Sequence, residues 1–109
     1  MKKVFISGRI RGMPNLDHFQ KAADIIASLG HIPVVPIGLI GIFPHMQKDV
    51  TKESDQWVQH FWLRESLKIL LTCDLIHFCP GDFSSGMKLE HNTASTVGIN
   101  TIFENGDIL

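Results

Sequence analysis

Positive charge is not in surplus in this chain: ten Lys and Arg stand against eleven Asp and Glu, a formal net charge of −1. Scattered basic residues at that balance leave no electrostatic footprint for a phosphate backbone, so polymeric nucleic acid is not an expected partner. Cysteine is equally scarce. Cys73 and Cys79 are the two present, without the paired spacing of a zinc site, and no His/Cys/Asp cluster has ligand spacing. The expectation is no metal, no cofactor and a reduced, cytoplasmic setting. Long apolar runs are missing too. Val4-Phe5-Ile6 behind Met1-Lys2-Lys3 is too short for a signal peptide and no segment reaches membrane-spanning length, so no membrane association is expected.

What is present suits one domain over residues 1–109: an apolar fraction of 44 % is enough for a single core. Lys3-Val4-Phe5-Ile6-Ser7 reads as a strand that runs into Gly8-Arg9-Ile10-Arg11-Gly12. Beyond Pro14, Phe19, Ala22, Ala23, Ile26 and Leu29 recur at helical spacing, with Asn15 or Asp17 available as a cap and Gly30 placed as a C′ residue. Residues 31–35 read as a second strand, and Pro33 suggests an edge position. Residues 37–56, with Gly38, Gly41 and Pro44 among apolar side chains, read as a long irregular connection of the kind that serves as a functional flap. A helix is expected over 57–72, a buried strand over 74–78, a helix over 87–97 and a last strand over 100–103. Strands alternating with helices imply a parallel sheet of four to five strands in a flavodoxin/Rossmann-like three-layer α/β/α sandwich.

The chemistry-bearing stretch is Pro80-Gly81-Asp82-Phe83-Ser84-Ser85-Gly86-Met87-Lys88-Leu89-Glu90. It places a small-residue turn after an apolar strand and a carboxylate a few residues further on. Ligands in open α/β sheets bind outside the carboxyl ends of strands, where helix N-termini offer free N–H groups to anions. Read with the helix starting at Met87, Glu90 falls in its first turn, where the dipole favours the ionised form. The first and third strands are expected to be neighbours, so their two glycine turns would form one pocket. Arg9 and Arg11, with Ser7, Gly8 and Gly12, would clamp a phosphate from one side, and Ser84, Ser85 and Gly86 from the other. Neither turn carries the dinucleotide fingerprint or the P-loop lysine pattern. Trp57, Phe61 and Trp62 form the aromatic cluster of the sequence; Trp57 and Phe61 are candidate contacts to a base. His60 and His91 are the histidines placed to reach the pocket.

Ile6-Ser7-Gly8-Arg9-Ile10-Arg11-Gly12, Cys73-Asp74-Leu75-Ile76 and Ser84-Ser85-Gly86 followed by Glu90 resemble the motifs of the nucleoside 2-deoxyribosyltransferase superfamily, notably its 2′-deoxynucleoside 5′-monophosphate N-hydrolase branch. The resemblance spans nearly the whole chain. It implies that Glu90 is the catalytic nucleophile at C1′ of a (deoxy)nucleoside 5′-monophosphate, with Arg9, Arg11, Ser84 and Gly86 on the 5′-phosphate. Ser84 stands where the transferases carry aspartate and the hydrolases a phosphate-binding serine. Ser66, a candidate sugar contact, stands where the superfamily usually carries an aspartate, and the chain has no tyrosine. Those two departures favour a second reading, a catalytically weak nucleotide-binding module. The Pro80-Gly81 turn followed by a glutamate also resembles ribonucleoside monophosphate phosphoribohydrolases, a third reading. The resemblance further implies a homodimer or larger homo-oligomer, with Asn105 and the C-terminal strand as donors to a neighbour's pocket.

Overall fold

The computed structural model describes residues 1–10, 13–36 and 56–109, with residues 56–59 described through their backbone. The expected flap over 37–55, together with Arg11 and Gly12, lies outside the described residues. The elements are β1 (Lys3–Ser7), α1 (Asp17–Ser28), β2 (Ile32–Val34), α2 (Gln56–Leu70), β3 (Leu75–Phe78), α3 (Ser85–Val97) and β4 (Asn100–Thr101). The strands form one sheet in the order β2-β1-β3-β4, and every pairing is parallel.

β1 explains the layering. Its residues 4–7 are all buried, as a strand covered on both faces requires. Side chains alternate across a strand, so Val4 and Ile6 join Phe19, Ala22 and Ile26 of α1, whereas Phe5 joins Leu70 at the end of α2 and Ala94 of α3. The sheet is therefore a middle layer, with α1 on one side and α2 and α3 on the other. Chain order reverses between β1 and β3, which lie side by side from Val4↔Leu75 to Ser7↔Phe78. Ligand crevices of open α/β sheets form at such a reversal.

The helix boundaries follow from local chemistry. Asn15 Oδ1 accepts from the Asp17 N–H at 3.0 Å and leads the chain into α1. Gly30 ends it with φ of 85° while its N–H bonds Ala27 O and the His31 N–H bonds Ile26 O, the paired bonds of a Schellman motif. Pro33 does sit on the edge strand, where its missing N–H costs no ladder bond to a further strand. The last strand is shorter than the sequence suggests. Beyond Thr101 the chain turns back on itself, with an antiparallel bridge between Ile102 and Ile108 and the Leu109 N–H on Thr101 O at 2.9 Å. None of the described helices is long and apolar enough to cross a membrane.

Candidate active site

α3 begins two residues earlier than its apolar pattern indicates, because Ser84 caps it: the Ser84 hydroxyl accepts from the Met87 N–H at 3.2 Å. That moves Glu90 out of the first turn, where the sequence reading placed it, into the second turn. It also puts Glu90 on the buried stripe with Met87 and Ala94. The carboxylate is 6 % exposed. Dipole stabilisation is thus not the dominant influence. Burial pushes the Glu90 carboxyl up to about 7, against two hydrogen bonds that favour its ionised form, from Ser7 and Ser66.

Those hydroxyls come from different elements. Ser7, the last residue of β1 and fully buried, donates to Glu90 Oε1 at 2.8 Å. Ser66 lies on α2, 1 % exposed, one helical turn before the fully buried Leu70, and its hydroxyl favours the ionised form of Glu90. Among the described residues the ion pair is the exposed Lys68–Glu65 contact at 3.0 Å, so no cation neutralises Glu90 there. A carboxylate on a core stripe with neutral partners is expensive, and such groups concentrate at functional sites.

The adjoining turns are held by close packing. A Cβ on Gly8 would lie 2.9 Å from Cys79 Sγ and 3.0 Å from Phe19 Cζ, so the glycine lets the end of β1 approach β3 and α1. A Cβ on Gly86 would meet Leu63 Cδ2 at 3.1 Å, which places the start of α3 directly against α2. Arg9 and Ser85 are exposed, on the two turns that follow the neighbouring strands β1 and β3. The Arg9 carbonyl is held by His18 Nε2 at 2.6 Å. Phe61 is half-buried on α2; the Trp57 side chain lies outside the described residues. His60 is exposed on α2, and Asn105 bonds Asp107 within its own turn at 2.9 Å.

Sequence reasoning missed an aromatic group. Phe83, in the turn, stacks on Phe78 at 4.7 Å, and the His91 ring lies 5.5 Å from Phe78. The spacing Phe78, Phe83, His91 crosses a strand, a turn and a helix, so no single periodicity exposes it. Phe78, Phe83 and His77 also border a cleft of about 650 Å³ at the ends of β3 and β4. There the Ile102 carbonyl accepts from His77 Nδ1 at 2.9 Å, leaving the buried Nε2 without a partner among the described residues. Both cysteines are buried free thiols; burial raises Cys73 and pushes Cys79 up to about 11. Neither is poised as a nucleophile. No group of three or more His, Cys, Asp or Glu residues suited to a metal ion occurs among the described residues.

A family model for DUF4406, a domain of unknown function, matches residues 2–103. The chain belongs to that family. A search of curated proteins gives no match. Among solved structures, a 2-deoxyribosyltransferase from the psychrotolerant bacterium Bacillus psychrosaccharolyticus aligns with a TM-score of 0.61 at 18 % identity, covering 92 % of this chain and 69 % of that one. At that identity the two share a fold, the Rossmann-like α/β arrangement expected from the sequence.

Proposed function

We propose that the protein cleaves or transfers at the N-glycosidic bond of a (deoxy)nucleoside 5′-monophosphate, with Glu90 as the nucleophile. The observation that carries this reading is the Glu90 carboxylate itself: buried beside the end of β1, held by the Ser7 hydroxyl at 2.8 Å, and raised to about 7. The likeness in fold to a 2-deoxyribosyltransferase supports the same chemistry. In its ionised form Glu90 attacks C1′, and the C1′–N bond breaks with its electron pair leaving on the base. Water or a second base then attacks C1′ and releases the carboxylate. Oxocarbenium character at C1′ is stabilised throughout by the adjacent negative charge. Arg9, Arg11, Gly8, Gly12 and the Ser84-Ser85-Gly86 helix start are assigned to the sugar and 5′-phosphate, Trp57 and Phe61 to the base, and the fully buried Ser7 to the Glu90 carboxylate that it bonds. We further infer a homo-oligomer with Asn105 near a neighbour's pocket.

A nucleotide-binding module without turnover is the second reading, favoured by Ser66 where the resemblance to the deoxyribosyltransferase superfamily implies an aspartate and by the near-complete burial of Glu90. Chromatography of base release from deoxy- and ribonucleoside 5′-monophosphates, with and without an acceptor base, decides between them. Release that disappears in Glu90→Ala establishes the glycosidase, and release requiring acceptor makes it a transferase. Ribonucleotide turnover alone would make it a phosphoribohydrolase, and no release from any substrate leaves binding alone.

A further inference from the structure

We propose that the cleft at the ends of β3 and β4 is a binding site in its own right, for an uncharged planar heterocycle that carries an N–H donor. On its side of the sheet α1 packs against β1 and β2. The cleft of about 650 Å³ opens at the ends of the other two strands, with a volume in the range of small-molecule pockets. Neither Ser7 nor Glu90 lines it. The proposal therefore stands whether or not Glu90 is a nucleophile.

Three features define the occupant. The first is a flat wall: Phe83 stacks on Phe78 with ring centroids 4.7 Å and planes 29° apart, and the 45 % exposed Phe103 also lines the cleft. Aromatic faces and edges accept a flat ring in offset or edge-on contact. The second is an unfilled acceptor. His77, on β3 and 3 % exposed, borders the cleft and makes its Nδ1 contact with the Ile102 carbonyl at 2.9 Å. A carbonyl only accepts, so Nδ1 carries the proton and Nε2 of the neutral ring is an acceptor, without a partner among the described residues. A buried acceptor left open is costly, and an aliphatic side chain would fill the same position without that cost. A ligand N–H, reaching Nε2 directly or through one held water, removes it. The third feature is charge. Among the described residues no Lys or Arg lines the cleft, whereas the Glu104 carboxylate does. A phosphate or carboxylate would meet like charge with no cation to offset it, so the site selects against nucleotides and for neutral rings such as a free purine or an indole.

The test is a titration of the 15N-labelled protein with indole, benzofuran, adenine and adenosine 5′-monophosphate, with the His77 ring nitrogens observed by NMR. Benzofuran has the shape of indole without the N–H, so indole should bind about tenfold more tightly and move the His77 Nε2 resonance. Adenine should move the same resonance, and adenosine 5′-monophosphate should leave it in place. Phe83→Ala, a change in a half-buried turn residue, should weaken indole about tenfold. His77→Phe should erase the preference for indole over benzofuran; if that variant does not fold, the Nε2 resonance of the wild type and the Phe83→Ala comparison decide. Equal affinity for indole and benzofuran, or no binding of indole and adenine up to their solubility, overturns the proposal. So does binding that leaves His77 unmoved and survives Phe83→Ala; its loss in Glu90→Gln would then place the ligand beside β1 instead.

Discussion

Replacing Glu90 by Gln should make the protein more stable, and only above a defined pH. Burial raises the Glu90 carboxyl from 4.5 to about 7. Between those values the folded state holds a proton that the unfolded chain has released, so stability falls as pH climbs through the window and the full penalty is present above it. A shift of this size corresponds to about 3 kcal/mol at 1.36 kcal/mol per unit. Gln is close in shape, keeps an acceptor for Ser7 and never ionises. The stability difference between Glu90→Gln and wild type should therefore open from near zero at pH 4.5 to about 3 kcal/mol by pH 8. For a domain of this length that is on the order of 15 °C in Tm. Urea melts of both proteins at four or five pH values measure it. Any fixed offset from the amide cancels, because only the slope with pH is compared. A difference that stays flat from pH 4.5 to 8, or that turns against the Gln variant as pH rises, would refute the claim that Glu90 is held against its preferred charge.

Base release by wild type should rise with pH as Glu90 ionises, with a midpoint near 7 in kcat/KM; a profile flat from pH 5 to 8 argues against a carboxylate nucleophile. Gly8→Ala should cost about 1–3 kcal/mol in thermal melts, since its methyl meets Cys79 Sγ at 2.9 Å, and Cys79→Ala added to it should recover part of that loss. Ser84→Ala should lower stability by about 1 kcal/mol through the lost cap on the Met87 N–H, as read by urea denaturation. Cys73 and Cys79 should resist a thiol reagent at pH 8 until denaturant is added, because both are buried and their thiolates are disfavoured.

The order of strands and helices was legible because each element carries a clean period and a punctuating residue: Gly30 after α1, Pro33 on the edge strand, the glycine turn before α3. The adjacency of β1 and β3 followed from parallel topology rather than from any residue. Glu90 stood out by its place after the turn, but its environment was misjudged by two residues of helix. Ser84 reads as a loop residue until it is recognised as a cap, and that shift decides whether Glu90 faces solvent near a dipole or a core. The stripe Met87, Glu90, Ala94 was present in the sequence and identifies a buried carboxylate once the register is set. The Ser7 contact to Glu90 was not accessible in that way, because it joins a strand end to a helix 83 residues later through tertiary packing that no local pattern encodes.

The backward turn of the last residues has a consequence for how copies of this protein can meet. Thr101 O and the Phe103 N–H, which would otherwise face outward from the end of the sheet, are taken by Leu109 and Asp107. At the far edge β2 is three residues long and carries a proline without a donor. Among the described residues a foreign strand thus finds few free hydrogen-bonding groups at either margin, which disfavours ribbon-like propagation of the sheet from chain to chain.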